Sequence, residues 1–302
     1  MPDPSSQSAP GEPADAAMVP TPDALALKRA SRQQWDEAAR GWNAHTAQIG
    51  AWLSRATEAM IEMAGITRNA RVLDVAAGAG DQTLAIAERV GPRGFVLATD
   101  LSPAILALAQ DNARDAGHAN VETRVADGEN LQLDPQSFDA AVCRLGLMLF
   151  PQPLQGLREM QQALKPGARA CTLVFSGPEH NPCITTLLST ALKHAGLASR
   201  QAPQPGSLLS LGQPGLMDRL FEAAGFSEVA TTAIDAPFRL PSARHYLDFI
   251  RSSASPIQQI LAKLDVCAAA AAWDEMEERL APYTTATGWE GPNELLLTAG
   301  RR

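Results

Sequence analysis

The amino-acid sequence predicts an α/β chain: a doubly wound, seven-stranded, mostly parallel sheet with helical cap insertions. Three observations predict it. From Arg71 onward, short apolar runs alternate with stretches of helical periodicity, the pattern of a parallel sheet covered on both faces. The junctions between them carry turn and cap residues. Two Pro-interrupted segments, 178–213 and 236–291, break the alternation; both read as helical and are placed above the sheet as a cap.

The elements follow in order. Residues 1–25 are rich in Pro, Ala, Ser and acid and read as a disordered tail, because they lack the apolar content to offset ordering. Residues 26–66 read as N-terminal helices. Trp35, Trp42, Ile49, Trp52, Leu53, Ala56, Met60 and Met63 recur at threes, fours and sevens, with Gly41 and Gly50 as expected breaks. Residues 67–302 form the main domain with its two insertions. Within it "RVLDVA" is the first strand and Asp81 to Val90 a helix, followed by the turn "GPRG". "FVLAT" is the second strand. Ser102-Pro103 supplies an N-cap and a first-turn proline for a helix closed by Gly117. "VETRVA" and "FDAAVCRL" are strands three and four. Leu154, Leu157, Met160 and Leu164 mark a helix stopped by "KPG". "ARACTLVF" is strand five, Leu216 to Ala224 a helix, "SEVATTAI" strand six and "NELLLTAGR" strand seven.

Bulk properties narrow the function classes. The net charge of −8 opposes a nucleic-acid partner, which needs a basic face. No apolar run approaches the roughly 20 residues that cross a bilayer. The first 20 residues hold no Lys or Arg and no apolar core segment, so no secretory signal is expected. Cys143, Cys171, Cys183 and Cys267 lie far apart with no metal-type spacing, and three stand in apolar surroundings. A cytoplasmic location and no metal are the expectation; the oligomeric state is left open.

The chemistry gathers on one rim. In an open parallel sheet, ligands sit at the carboxyl ends of the strands. "AAGAG" leaves strand one there, and Gly78 and Gly80 permit tight turns and close approach of a ligand to backbone N–H groups. The following helix presents the positive end of its dipole. Asp100 ends strand two, where a carboxylate accepts both hydroxyls of a ribose. "ADGEN" follows strand three: Asp127 suits an adenine amino group, and the backbone near Gly128 suits a ring nitrogen. Each signal alone is weak, since glycine turns, helix-flanking acids and Asp-Gly turns are common. Their order on one rim carries the weight.

On "VLDVAAGAGDQT", "VLATDLSP", "ADGENL", "FDAAVCRLGLMLF", "LKPGAR", "LFEAAGF" and "NELLLTAGR", the chain resembles the class I S-adenosylmethionine-dependent methyltransferases. The resemblance covers roughly 65–175, 215–235 and 293–301. It falls nearest the small-molecule branch that includes the ubiquinone/menaquinone C-methyltransferases, where Ala76-Ala77 before Gly78 is an accepted variation. It implies the Rossmann-like methyltransferase fold, S-adenosyl-L-methionine as cofactor and a small-molecule methyl acceptor. It also implies roles. Asp74 would lie near the methionyl ammonium, and Ala76, Gly78 and Gly80 would face methionine and ribose. Asp100 would take the ribose diol, Leu101 would lie against adenine, and Asp127 with Gly128 would hold the adenine edge. Cys143 and Arg144 would lie near the methionyl carboxylate and the transferring methyl. Gln82 and Thr83 would cap the helix or touch that carboxylate. The N-terminal helices would close over the cofactor.

A sulfonium methyl needs an in-line nucleophile at attack distance; a general base is needed only if the acceptor must lose a proton. His45, in the N-terminal helices, and Arg144 are the candidate catalytic residues; His180 and His245 are further base candidates. Trp35 and Trp42 either stack on a ligand or form an ordinary apolar stripe. "LGLMLF" with Leu208, Leu209, Phe238, Tyr246, Phe249 and Ile250 would make a greasy acceptor pocket, unless these residues are core. An apolar or aromatic acceptor is expected, with quinone-biosynthesis C-methylation as the alternative. The extended Asn- and Met-containing N-terminal segment of that enzyme type is missing, and the long second cap departs from it. A nicotinamide-dependent oxidoreductase stays open because Asp100 lies 20 residues past Gly80, although "GAGDQT" lacks the third glycine or alanine. A non-catalytic cofactor-binding protein is the remaining alternative. "CRLG" after strand four carries neither the Asn-Pro-Pro-aromatic nor the Cys-Pro signature of nucleic-acid methyltransferases.

Overall fold

The computed structural model describes residues 22–198, 206–253 and 256–302. Most of the segment read as a tail, 1–21, lies outside the described residues, as do 199–205 in the first insertion and 254–255 in the second. Pro22 to Leu25, read as the end of the tail, instead open a helix in which Ala24 is buried.

Two helices come first, α1 (Pro22–Ala44) and α2 (Thr46–Met63). Gly41 and Gly50 do not break them; the break falls at His45. The alternating region then gives β1 (Arg71–Val75), α3 (Asp81–Val90), β2 (Phe95–Asp100), α4 (Pro103–Asp115), β3 (Val121–Val125) and β4 (Phe138–Arg144). It continues with α5 (Pro153–Ala163), β5 (Leu164–Phe175), α6 (Pro182–His194), α7 (Leu216–Ala223) and β6 (Ser227–Asp235). The second insertion holds β7 (Phe238–Leu240), α8 (Ala243–Ser252), α9 (Pro256–Leu261), α10 (Val266–Leu280), β8 (Thr284–Thr285) and β9 (Gly288–Gly291). The chain closes with β10 (Glu294–Arg301).

The main sheet has seven strands in the order β3-β2-β1-β4-β5-β10-β6. β3, β2, β1, β4 and β5 pair in parallel, while β10 runs antiparallel to both β5 and β6. The order reverses direction between β1 and β4, the switch point at which such sheets bind ligands. The central strands are apolar because helices cover both faces: Val72, Leu73, Ala140, Val142 and Leu173 are all fully buried. Ser102 caps α4 as its sequence predicts, accepting the Ile105 N–H at 3.2 Å, with Pro103 in the first turn.

Two readings need correction. "KPG" does not separate helix from strand: α5 ends at Ala163 and β5 starts directly at Leu164, carrying Lys165-Pro166-Gly167 within it. The second insertion is not wholly helical, because β7, β9 and β8 form a small antiparallel sheet. Strands of two to four residues are too short to show a period of two. This insertion is joined to α2 by the Trp52 indole, which donates to the Ala236 carbonyl at 2.6 Å and stacks on Phe238 at 4.0 Å between ring centroids. Among the described residues, no helix is long and apolar enough to cross a membrane.

Candidate functional site

A cavity opens at the carboxyl ends of β1, β2, β3 and β4, where open parallel sheets bind their ligands. Its floor is the loop after β1, where Ala76 and Gly78 line the wall. Ala76, Gly78 and Gly80 all have positive φ, 55°, 59° and 87°. The glycine at 80 answers a close approach: a Cβ there would stand 3.0 Å from the Ala109 Cβ of α4. The loop is tied to the second rim by the Gly78 N–H, which donates to Asp100 Oδ2 at 3.0 Å. The Ser102 N–H donates to Asp100 Oδ1 at 2.9 Å. Burial raises the Asp100 pKa despite these amides. A carboxylate oxygen has two lone pairs, so each Asp100 oxygen can still accept a ligand hydroxyl.

On the third rim, Asp127 Oδ1 accepts the Glu129 N–H at 2.9 Å. Gly128 is glycine for a steric reason: a Cβ would stand 2.3 Å from Phe150 Cζ. Gly156 of α5 flanks the same ring, its own Cβ position lying 2.6 Å from Phe150 Cδ2. Phe150 is therefore wedged between two glycines, and its ring lines the cavity with Leu101 and Leu149. On the β4 side, Arg144 lines the wall. Its Nη2 is 2.5 Å from Asp81 Oδ1, and its Nη1 donates to Thr57 Oγ1 at 2.9 Å.

Eight of the twelve positions that the sequence assigns to a cofactor line this cavity: Ala76, Gly78, Gln82, Asp100, Leu101, Asp127, Gly128 and Arg144. Asp74, Gly80, Thr83 and Cys143 stand behind the wall. Asp74 is fully buried beneath it, accepting from Thr83 Oγ1 at 2.6 Å and Gln82 Nε2 at 3.3 Å. Burial pushes its pKa up to about 7. In this geometry Asp74 pins the loop and the first turn of α3 together. Cys143 is also fully buried, and burial, with the Asp74 charge behind it, pushes its thiol up to about 12.

The structure does not bring His45 to the cavity. Its Nδ1 lies 2.9 Å from the Gly41 carbonyl and 3.3 Å from Ser252 Oγ, and its ring packs edge-on to Phe249. His180 sits on the surface near Glu179 and Glu294, and His245 is bonded to Ser242. Among the described residues, the titratable groups lining the cavity are carboxylates, Lys28 and Arg144. The greasy pocket is likewise not formed as read: Phe238, Tyr246 and Phe249 are buried in a packed aromatic cluster with Trp52 and Trp289. From that set Leu145, Gly146, Leu149 and Phe150 line the cavity.

Sequence reasoning missed Lys28, Ser31, Asp81 and Glu129, all of which line the wall. Trp35 and Trp42 do so as well, meeting edge to face at 5.3 Å. Positions 28, 31, 35 and 42 share one helical face, a spacing visible in the sequence. Its partner across the cavity was not.

Residues 50–194 match the ubiE/COQ5 methyltransferase family. The ubiquinone/menaquinone biosynthesis C-methyltransferase UbiE of Idiomarina loihiensis is 39 % identical over 119 residues, 39 % of this chain and 47 % of that one. The chain thus spans about half the length of the curated relatives it matches. The crystal structure of the YcgJ protein from Bacillus subtilis superposes with a TM-score of 0.56 at 19 % identity, covering 82 % of this chain and 98 % of that one. Phosphoethanolamine N-methyltransferase 2 of Haemonchus contortus, in complex with S-adenosyl-L-methionine, gives 0.53 at 16 % identity, covering 86 % and 57 %. These findings bear out the resemblance to class I S-adenosylmethionine-dependent methyltransferases near the ubiquinone/menaquinone type, and the two structures share the fold. The matched stretch holds β1 to β5 and every rim residue, but neither α1 nor the second insertion.

Proposed function

We propose that this chain transfers the methyl group of S-adenosyl-L-methionine to a small apolar or aromatic acceptor. One observation carries this most: the loop after β1, Asp100 after β2 and Asp127 after β3 line a single cavity at the sheet's switch point. That donor and acceptor set fits the cofactor. Asp100 offers lone pairs to a diol, Asp127 accepts from an amine, and the Leu101, Leu149 and Phe150 side chains give an apolar slot for a base. Arg144 supplies a cation for a carboxylate, held in place by Asp81 and Thr57.

When bound, the cofactor supplies a sulfonium-activated methyl group open to in-line displacement. The chain's part is to orient and to exclude water. Trp35 and Trp42 from α1 and Leu53 from α2 roof the cavity and keep it apolar. A proton lost by the acceptor would go to a lining carboxylate or to solvent, since His45 faces elsewhere. Asp81 is the carboxylate beside Arg144, the residue expected near the transferring methyl.

Quinone-type C-methylation is the second reading, supported by the similarity to UbiE over the cofactor half. Against a dinucleotide, the position where that fingerprint needs a small residue holds Thr83, whose hydroxyl is committed to Asp74. The net charge of −8 supports a chain with no nucleic-acid partner, and four unpaired, scattered cysteines support a cytoplasmic location.

The test is methyl transfer from labelled S-adenosylmethionine to a panel of phenols, quinols and other apolar aromatics. Incorporation into one chemical class is expected. Because Trp35 and Trp42 line the cavity, tryptophan fluorescence reports occupancy directly. Saturation by a nicotinamide dinucleotide and not by S-adenosylhomocysteine would overturn the assignment.

A further inference from the structure

Helix α1 crosses the cavity and is held to the rest of the fold at several points along its length. The C-terminal half is fixed by packing. A Cβ on Gly41 would stand 2.0 Å from the Ser252 carbonyl oxygen of α8, and Asn43 Oδ1 accepts from the Asn112 amide of α4 at 2.8 Å. Asp36, in the middle, accepts from Ser102 Oγ at 2.5 Å and from the Ala104 N–H at 3.2 Å, tying α1 to the first turn of α4. Beyond that point toward the N-terminus, Lys28 reaches across the cavity. Its ammonium stands 2.6 Å from Asp127 Oδ2 and 2.6 Å from Glu129 Oε2. Glu129 Oε1 in turn accepts the Gln152 N–H at 2.5 Å, so the contact runs on to the start of α5.

We propose that Lys28 is a latch that closes α1 over the adenine end of the cavity and must release for the ligand to exchange. The proposal rests on the cofactor reading for the identity of that ligand. Four features support it. Lys28 is 9 % exposed and Glu129 6 %, so the ionic contact is shielded from solvent. Burial pulls the Lys28 pKa down, but the hydrogen bonds to Asp127 and Glu129 outweigh it and the net shift is upward, which keeps the group charged. Asp127 and Glu129 would face each other as like charges without the ammonium between them. Finally, Asp127 is the group expected to accept from the adenine amine. Oδ1 already takes the Glu129 amide and Oδ2 takes Lys28. Each oxygen keeps a second lone pair, so a ligand amine shares this carboxylate with the latch, and closure and adenine binding meet at Asp127.

The experiment uses the full chain and the variants Lys28→Met and Lys28→Arg. Hydrogen exchange without added ligand reads the latch alone. Amides of the first half of α1 should lose protection by about tenfold in Lys28→Met and keep it in Lys28→Arg, with β1 unchanged. Stopped-flow tryptophan fluorescence with S-adenosylhomocysteine then reads exchange. A latch that must open predicts that association and dissociation both quicken by about fivefold in Lys28→Met, with Kd altered less than about threefold. Unchanged α1 protection would overturn the latch. Faster dissociation with unchanged association would overturn it too, making Lys28 a simple contact. If the unaltered chain does not respond to S-adenosylhomocysteine, the cofactor reading fails, and the exchange experiment still decides whether Lys28 holds α1.

Discussion

Asp74→Asn isolates the buried acid under the cofactor loop. Asp74 is fully buried, and burial pushes its pKa from 3.8 to about 7. The bonds from Thr83 and Gln82 and the Arg144 charge favour the ionised form but do not offset burial. The folded chain therefore holds this proton more tightly than the unfolded chain. Between about pH 4 and 7 the folded state binds more protons, so stability falls as pH rises through that window and the loss is complete above it. A shift of about 3 units corresponds to roughly 4 kcal/mol in all, and about 3 kcal/mol of it falls between pH 5 and 7. For a domain of this size that is about 5 °C in Tm. Asn cannot ionise and keeps an oxygen for the Thr83 hydroxyl. Melting curves of both proteins from about pH 5 to 9 should therefore diverge: relative to the unaltered chain, Asp74→Asn should gain about 5 °C by pH 7 and nothing further above it. Parallel curves over the whole range would refute the claim that Asp74 carries this titration.

Two further substitutions probe the rim. Asp100→Ala should weaken S-adenosylhomocysteine binding by about 1–3 kcal/mol through lost charge-assisted hydrogen bonds; unchanged affinity in a folded variant would remove Asp100 from the site. Gly128→Ala places a methyl 2.3 Å from Phe150 Cζ. It should lower stability by about 1–3 kcal/mol and reduce ligand affinity as the ring moves into the cavity. A variant with unaltered Tm and affinity would show that Phe150 is not wedged.

The strands and the rim were legible because their signals are local. "RVLDV" and "FVLATD" are buried on both faces and read as continuous apolar runs. Ser102-Pro103 carries its own cap chemistry, and Asp100 and Asp127 stand where a strand's end puts them. What escaped depends on contacts between distant segments. Gly41 suggests a helix end, yet it is glycine because α8 passes against it. Lys28 meets Asp127 across 99 positions of sequence, from a helix that begins inside the expected tail. The aromatic residues of the second insertion have the composition of a pocket lining, but they fill their own space: Trp52, Phe238, Phe249 and Tyr246 pack on one another. Composition cannot separate a greasy pocket from a packed core, because both require the same side chains.

The most direct test of the central claim is calorimetric titration of the folded chain with S-adenosylmethionine and with S-adenosylhomocysteine. The cavity that joins Gly78, Asp100 and Asp127 predicts saturable binding of both in the micromolar range, one ligand per chain, weakened by Asp100→Ala. A folded sample that takes up neither ligand would contradict the account and return the site to the dinucleotide or non-catalytic alternatives.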